Sequence, residues 1–201
     1  MNRLTFESNA VVVVAGVPGA GKTTLIRRSV DRRRVQVVDT DDRRDPSGRG
    51  PRFAGARHYA RIVTALAGPR PVLVHSRGTH AALRRLVVRL AALHGRPAHL
   101  ILLHAERPAA EAGQHDRGRT VPEGVMDREV GRWRRLLGRR ERLEAEGWAS
   151  IVLLERADAA RVDLLDFAPA QASSDSRTGT TVATPVSTRI SPALMPRPPR
   201  P

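Results

Sequence analysis

One segment near the amino terminus combines residue types that can hold a chain of phosphates. It matches the Walker A pattern GxxxxGKT, with the residues Gly16, Val17, Pro18, Gly19, Ala20, Gly21, Lys22 and Thr23. Glycines let the backbone curl so that its N–H groups face a phosphate, and a flexible lysine reaches the β- and γ-phosphates. A threonine hydroxyl at the last position is an oxygen ligand for Mg²⁺. The pattern therefore predicts a site for ATP with Mg²⁺.

The surroundings of this motif support the same prediction. Lys22 is the only lysine in the chain, although Lys and Arg together number 35. A compact ammonium suits this position, whereas a planar guanidinium is wider and forked. An apolar run over residues 11–15 precedes the motif, and a helix start with Thr24 follows it, which is the strand–loop–helix context that the motif requires. We expect residues 16–24, Thr24 included, to bind the nucleotide; the alternative is an ordinary glycine-rich turn.

Apolar runs alternate with amphipathic stretches along the first 155 residues. Buried strands are predicted over residues 11–15, 35–38, 72–74, 100–103 and 150–154. Helices are predicted at about residues 22–30, 54–67, 81–94 and 122–146. Such alternation favours an α/β three-layer sandwich, in which a parallel sheet of about five strands carries helices on both faces.

A second group of polar residues follows the second predicted strand. Asp39, Asp41, Asp42, Arg43 and Arg44 lie at its carboxyl end, where open α/β sheets bind ligands. A carboxylate there can accept the proton of an attacking hydroxyl, and an arginine can hold an acidic group of the acceptor. The alternative is a polar strand exit whose charges are only solvated.

A third group lies between the fourth predicted strand and the last predicted helix. Arg117 and Arg119 belong to the segment RGRTVP, which contains a glycine and follows a short predicted helix. Guanidiniums on a mobile segment can close over a nucleotide and neutralise charge on a transferred phosphoryl group. The alternative is a basic loop between helices.

Composition limits the remaining classes of function. The chain has 201 residues and no cysteine, which excludes disulfides and thiolate metal sites and fits a cytoplasmic protein. We expect a nucleotide-binding domain over residues 1–167 and a disordered tail rich in Pro, Ser, Thr and Arg over residues 168–201. The net charge of +15 makes nucleic acid a candidate partner, although the arginines are spread along the chain. The segment of residues 1–9 is short and polar, and no membrane partner is expected.

The order of these parts resembles the P-loop kinases of the polynucleotide 5′-kinase type, small proteins often labelled AAA-family ATPases. The resemblance covers residues 11–154 and rests on three segments, GVPGAGKTT, TDDRR and RGRTVP. It implies that Asp41 is the general base and that Arg44 binds the acceptor phosphate. It also implies that Arg117 is the lid arginine, with Arg119 as a helper at the nucleotide. Lys22, Asp41 and Arg117 are thus the expected catalytic residues.

The chain departs from this family after the third predicted strand. Family members place an Asp there, whereas this chain reads VHSRGTH. Asp39 is expected to join Thr23 at the metal instead; the alternative is a weaker site. His75 either binds substrate or caps the strand end. Three functions stay open: a kinase for a small or nucleic-acid hydroxyl acceptor, a nucleotide-binding ATPase or switch, and a basic nucleic-acid-binding module. A ring-forming motor is not expected, because no acidic pair follows this strand.

Overall fold

The structure is a computed structural model that describes residues 2–39, 52–115 and 122–168. The strands are β1 (Asn2–Glu7), β2 (Val11–Gly16), β3 (Gln36–Asp39), β4 (Val72–His75), β5 (Ala98–His104), β6 (Ser150–Glu155) and β7 (Val162–Ala168). The helices are α1 (Lys22–Ser29), α2 (Arg52–Ala67), α3 (Ala81–Leu93), α4 (Arg107–His115), α5 (Glu123–Leu137), α6 (Arg140–Glu144) and α7 (Arg156–Arg161).

Five parallel strands form the main sheet, in the order β3-β4-β2-β5-β6. All six residues of β2 are buried, as expected for the central strand of a sheet covered on both faces. The carboxyl ends of parallel strands lie at one edge of the sheet. The glycine-rich loop (residues 16–23) follows β2, so it begins between the ends of β4 and β5. The predicted α/β class and the five-stranded parallel sheet are confirmed.

Helices cover the sheet through apolar faces that their sequences encode. On α3, the buried residues Leu83, Val87 and Ala91 recur every four positions, as one helical face requires. On α5, Met126, Trp133 and Leu136 are buried in the same way. These residues belong to one core cluster with the strands of the main sheet.

A second, two-stranded sheet was not predicted from the sequence. β1 pairs in parallel with β7, and Phe6, Leu165 and Phe167 are buried there. Arg28 of α1 contacts the neighbouring segment through bonds to the carbonyl oxygens of Ala159 and Val162, at 2.6 and 2.9 Å. Because β1 buries only Phe6, its sequence looks polar, and its partner strand lies about 160 residues away along the chain.

The single long helix predicted over residues 122–146 is wrong, because two helices occupy this range. α5 ends at Leu137 with Gly138 as its C-cap residue, and α6 begins at Arg140. β7 runs to Ala168, and the tail predicted from residue 168 otherwise lies outside the described residues. None of the described helices is both long enough and apolar enough to cross a bilayer.

Candidate functional site

The glycine-rich loop uses two of its glycines for different reasons. Gly19 and Gly21 have φ angles of 85° and 97°, in the left-handed region that other residues rarely adopt. A Cβ atom at Gly19 would lie 1.9 Å from the carbonyl oxygen of Ala110, so the backbone approaches α4 too closely for a side chain. A Cβ atom at Gly21 would meet nothing within 4 Å. The loop is thus packed on α4 at Gly19 and bordered by open space at Gly21.

The side chain of Lys22 lies over the loop that precedes it. Lys22 is 8% exposed, and its Nζ donates to the carbonyl oxygens of Gly16 and Val17 at 2.7 and 2.9 Å. These bonds satisfy a buried ammonium, which is costly to leave without partners. They also hold the charge beside the backbone of the loop, where a phosphate chain would lie.

The amino terminus of α1 is arranged to receive an anion. α1 begins at Lys22, its N-cap residue Gly21 offers no side-chain bond, and its first turn contains no acidic residue. Arg27 and Arg28 lie in the last turn, where cations complement the helix dipole. Thr23 is partly exposed in the first turn, so its hydroxyl lies at the same end of the helix. Backbone N–H groups, the dipole and a hydroxyl therefore meet at one place.

Two titratable residues meet at the carboxyl edge of the neighbouring strands. β3 and β4 pair so that Asp39 lies beside His75, and the Oδ1 and Nδ1 atoms are 2.6 Å apart. His75 is 2% exposed, whereas one third of the Asp39 side chain is exposed. The carboxylate thus fixes the imidazole and keeps contact with solvent. Of the two roles considered for His75, its position at the strand end with a polar partner agrees with a cap.

His58 of α2 adds a third titratable group near this pair. Burial lowers its pKa, as does the neighbouring Arg61, while the charge of Asp39 raises it and His75 lowers it. Neither ring nitrogen has a hydrogen-bond partner within the described parts of the chain. The neutral imidazole is therefore favoured beside the Asp39–His75 pair.

The segment after β4 lies against the start of the glycine-rich loop. The N–H of Gly16 donates to the carbonyl oxygen of Arg77 at 3.3 Å, and a Cβ atom at Gly78 would lie 2.3 Å from the Cβ of Ala15. Gly78 also has a positive φ of 72°. This segment therefore passes the loop at backbone contact distance.

A carboxylate reaches this segment from α5, although the segment itself has none. Glu129 is 2% exposed and accepts bonds from Thr79 Oγ1 at 3.3 Å, Arg77 Nη1 at 3.5 Å and Arg132 Nη1 at 2.8 Å. Sequence reasoning missed this residue. The signal was its spacing: Glu129 shares the buried face of α5 with Met126 and Trp133, and a carboxylate on such a face needs partners.

α4 connects the glycine-rich loop to the segment predicted as a lid. A Cβ atom at Gly113 would lie 2.6 Å from the carbonyl oxygen of Gly19, and Gln114 Nε2 donates to the carbonyl oxygen of Pro18 at 3.4 Å. Arg107 binds Glu111 on α4 and both Glu123 and Asp127 on α5, so it joins the two helices that flank residues 116–121.

The structure brings part of the predicted site together. The predicted nucleotide-binding residues, 16–24, and Asp39 all lie at the carboxyl edge of the main sheet. Asp41, Arg44, Arg117 and Arg119 lie outside the described residues. Within the described residues, no three metal-ligating side chains cluster. One hydroxyl and one partly exposed carboxylate, Thr23 and Asp39, fit Mg²⁺, which usually retains waters and phosphate oxygens among its ligands.

Comparisons with known proteins agree with this architecture. A family described as an AAA domain matches residues 11–142. The PezAT toxin–antitoxin system of Streptococcus pneumoniae superposes with a TM-score of 0.58 at 15% identity, over 78% of this chain and 71% of that chain. A protein of Chloroflexus aurantiacus that is provisionally assigned as a kinase gives 0.53 at 16%, over 79% and 91%. Kti12 of Chaetomium thermophilum, solved with ADP-AlF3, gives 0.52 at 16%, over 76% and 94%.

These structural similarities support the fold alone, because the sequence identities are low. No curated protein matches the chain significantly. The family match, by contrast, spans well over half of the chain and includes the glycine-rich loop, Asp39, His75 and Glu129. The chain therefore belongs to the AAA domain family and has a P-loop nucleotide-binding fold related to that of kinases.

Proposed function

We propose that this protein is an ATP-dependent phosphotransferase that moves the γ-phosphate of ATP to a hydroxyl group of a small or nucleic-acid acceptor. The observation that carries the proposal is the buried Lys22 ammonium, held over the glycine-rich loop at the uncapped amino terminus of α1. An ammonium, backbone N–H groups and a helix dipole at one place are the electrostatic parts that a phosphate chain needs.

Each group at this edge has a role in the proposed reaction. Residues 16–24 hold the phosphates of ATP, and Thr23 and Asp39 offer oxygen ligands to Mg²⁺, which neutralises phosphate charge when bound. Asp39 also keeps its bond to His75, which fixes the orientation of the carboxylate. Glu129 holds Thr79 and Arg77 beside the loop, so it is a positioning residue.

The acceptor side rests on residues outside the described ranges. Asp41 follows β3 by two residues and accepts the proton of the attacking hydroxyl in this proposal. Arg44 binds an anionic group of the acceptor, while Arg117 and Arg119 neutralise charge at the transferred phosphoryl group and the nucleotide. Two structural neighbours support this class of function, because one is provisionally assigned as a kinase and another is bound to ADP-AlF3.

A second candidate is an ATPase or nucleotide switch without an acceptor. It is favoured by the segment after β4, where His75 occupies the strand end and the nearest buried carboxylate, Glu129, comes from α5. In that case the same loop binds ATP, but only water receives the phosphate.

The deciding experiment is transfer of labelled γ-phosphate from ATP with Mg²⁺ to pooled 5′-hydroxyl oligonucleotides, nucleotides and small polar metabolites. A labelled organic product that is absent with Lys22→Ala protein supports the kinase and identifies the acceptor class. Lys22→Ala should lower the rate by about 10³-fold, because it removes a preorganised positive charge from the phosphates. Release of free phosphate alone supports the second candidate.

Asp41→Ala serves as the matched test of the acceptor side. This variant should bind ATP as tightly as the unaltered protein and lose transfer, because only proton acceptance is removed. Transfer at an unchanged rate would show that Asp41 is not the base.

A further inference from the structure

A groove lined by arginines lies between α3 and the α5–α6 pair, away from the glycine-rich loop. Its volume is about 720 Å³, and seven arginines line it together with Glu146 and a few small or apolar residues. We call it the arginine groove. Thr79, in the segment after β4, is one of its lining residues.

Two of the seven arginines have acidic partners, and one of these pairs joins the two walls. Arg84 is buried and binds Glu146 through two bonds of 2.6 and 2.9 Å, and it also donates to the carbonyl oxygen of Gly78. Arg132 binds Glu129. These pairs use the charge of Glu146, which lines the groove, and of Glu129, which lies on α5 outside the lining.

The other five arginines have no such partner. They are exposed, and their side chains form no ion pair or hydrogen bond within the described residues: Arg85, Arg89, Arg135, Arg139 and Arg142. A nearby arginine outside the groove does have an acidic partner. Arg140 lies beside Arg139 but is absent from the groove lining, and it binds Glu144 at 2.6 Å. Arg128 and Arg134 on α5 also lack a partner within the described residues and lie outside the groove lining, so the groove gathers five of the unpaired guanidiniums of this region.

Positive charge of this density favours an anionic ligand. Guanidinium stays protonated at every physiological pH, so the five charges cannot be relieved by losing protons. A concave surface lined by charges of one sign focuses their field and raises the local concentration of counter-ions. Arginine also matches phosphate geometry, because its planar fork donates two parallel N–H bonds.

The spacing of the arginines indicates an elongated ligand with repeated charges. Arg85 and Arg89 lie one turn apart on α3, a rise of about 6 Å in a helix. Arg135, Arg139 and Arg142 extend along the facing wall from α5 into α6. A compact anion would contact one end of this array, whereas a chain of phosphates contacts both rows along their length.

We propose that the arginine groove binds the phosphodiester backbone of a single nucleic-acid strand. A groove of this volume is in the range of pockets for small ligands, so it can hold a short stretch of one strand but cannot enclose a duplex. None of the described lining residues is aromatic, so bases do not stack there and recognition is independent of sequence. The proposal does not depend on phosphotransfer, because binding is measured without ATP.

The test compares the full-length protein with two triple variants that lose the same charge. Arg85→Gln, Arg89→Gln and Arg135→Gln are combined in the groove variant. Arg32→Gln, Arg33→Gln and Arg34→Gln form the control, since these residues are also exposed but lie outside the groove lining. Both variants keep residues 169–201 unchanged, so this segment cannot account for a difference between them. Binding of labelled single-stranded DNA and RNA 12-mers is followed by fluorescence anisotropy between about 50 and 200 mM salt. Nucleic-acid affinity falls steeply with salt over this range.

The groove variant should bind at least tenfold more weakly at the lowest salt. Its slope of log affinity against log salt should be smaller by about 2, because each lost phosphate contact on a single strand contributes about 0.7. The control should bind within about threefold of the unaltered protein, because its lost charges act only at long range. Equal losses in the two variants, or no binding by the unaltered protein, would overturn the proposal.

Two further measurements distinguish nucleic-acid binding in the groove from misfolding of the variant and from general attraction of anions. A variant that combines Arg85→Lys, Arg89→Lys and Arg135→Lys should retain the salt slope, because the charges stay. It provides a folded comparison even if the glutamine variant is unstable. Poly-glutamate and inorganic polyphosphate of equal charge are used as competitors. If either displaces the labelled strand as well as an unlabelled strand does, the groove is not a nucleic-acid site.

Discussion

The two edges of the main sheet both contain buried charged residues, but they use them differently. At the amino edge, Arg96 donates to four backbone carbonyl oxygens, those of Asn9, Leu66, Gly68 and Arg70, at 2.7 to 3.0 Å. His99 lies between Glu7 and Ser150, with a 2.8 Å contact to each. These bonds join the segments that lead into the strands, so they stabilise the fold.

At the carboxyl edge, polar groups surround a loop and a helix start instead. Lys22 bonds to carbonyl oxygens within its own loop, and α1 begins without a side-chain cap. Asp39 binds His75 but keeps one third of its side chain exposed. A buried charge alone therefore does not identify a functional site. The carboxyl edge differs from the amino edge in its uncapped helix end and its partly exposed carboxylate.

The largest expected effect comes from removing the charge of the amino edge. Arg96→Met should lower the free energy of unfolding by about 3 kcal/mol, because four carbonyl oxygens lose their donor and a buried polar group without a partner costs about 1–3 kcal/mol. Nucleotide affinity of the folded variant should stay unchanged. Urea denaturation and ATP titration measure the two quantities.

Arg27→Met is the matched control, since Arg27 is an exposed residue on α1. It should change the free energy of unfolding by less than about 0.5 kcal/mol. If Arg96→Met weakened ATP binding without affecting stability, the proposed division between the two edges would be wrong.

A substitution at the carboxyl edge should have the opposite profile. In Gly113→Ala, the added Cβ would lie 2.6 Å from the carbonyl oxygen of Gly19, so the glycine-rich loop must shift. Because alanine also favours the helix by up to about 1 kcal/mol, stability should change little. ATP affinity should fall by about tenfold, a loss of about 1.4 kcal/mol that calorimetry can measure.

Gly131→Ala on α5 provides the same chemical change without the clash. Its Cβ would meet only Arg135 Nη1, at 3.7 Å, so we expect unchanged ATP affinity and a small gain in stability. Equal ATP affinities for the two variants would contradict the proposed contact between α4 and the loop.

The sequence predicted the parts of this molecule whose signals are local. The GxxxxGKT spacing and the apolar runs of β2 to β6 located the loop and the parallel sheet, because both depend on neighbouring residues. β1 and β7 were missed because their pairing joins segments about 160 residues apart. The break at Gly138 was missed because the apolar pattern continues on both sides of it.

The candidate site shows the same division. Lys22 and Asp39 were identified from motif and strand position, but their contacts with Gly16 and His75 depend on how the chain folds. Glu129 could not be placed beside Thr79 from sequence, since 50 residues separate them. The arginine groove was also hidden, because the arginines that line it come from three helices and look evenly spread along the chain.

The smallest expected effect is a pH dependence that originates at the amino edge. Burial lowers the pKa of His99, and the charge of Glu7 and its hydrogen bond raise it by less. The unfolded chain therefore binds more protons than the folded protein as the pH falls below the ordinary value of 6.5, so stability decreases from there down to the folded-state pKa. His58 and His104, whose pKa values burial also lowers, contribute in the same direction.

His99→Gln separates this contribution from the others. Glutamine keeps hydrogen-bonding capacity toward Glu7 and Ser150 but cannot take up a proton, so the loss of stability between pH 7.5 and 5.5 should be smaller than in the unaltered protein. His58 and His104 remain and should preserve the rest of the loss. Urea denaturation at both pH values measures the difference. If the variant lost as much stability between these pH values as the unaltered protein, protonation of His99 would not contribute to the pH dependence of stability.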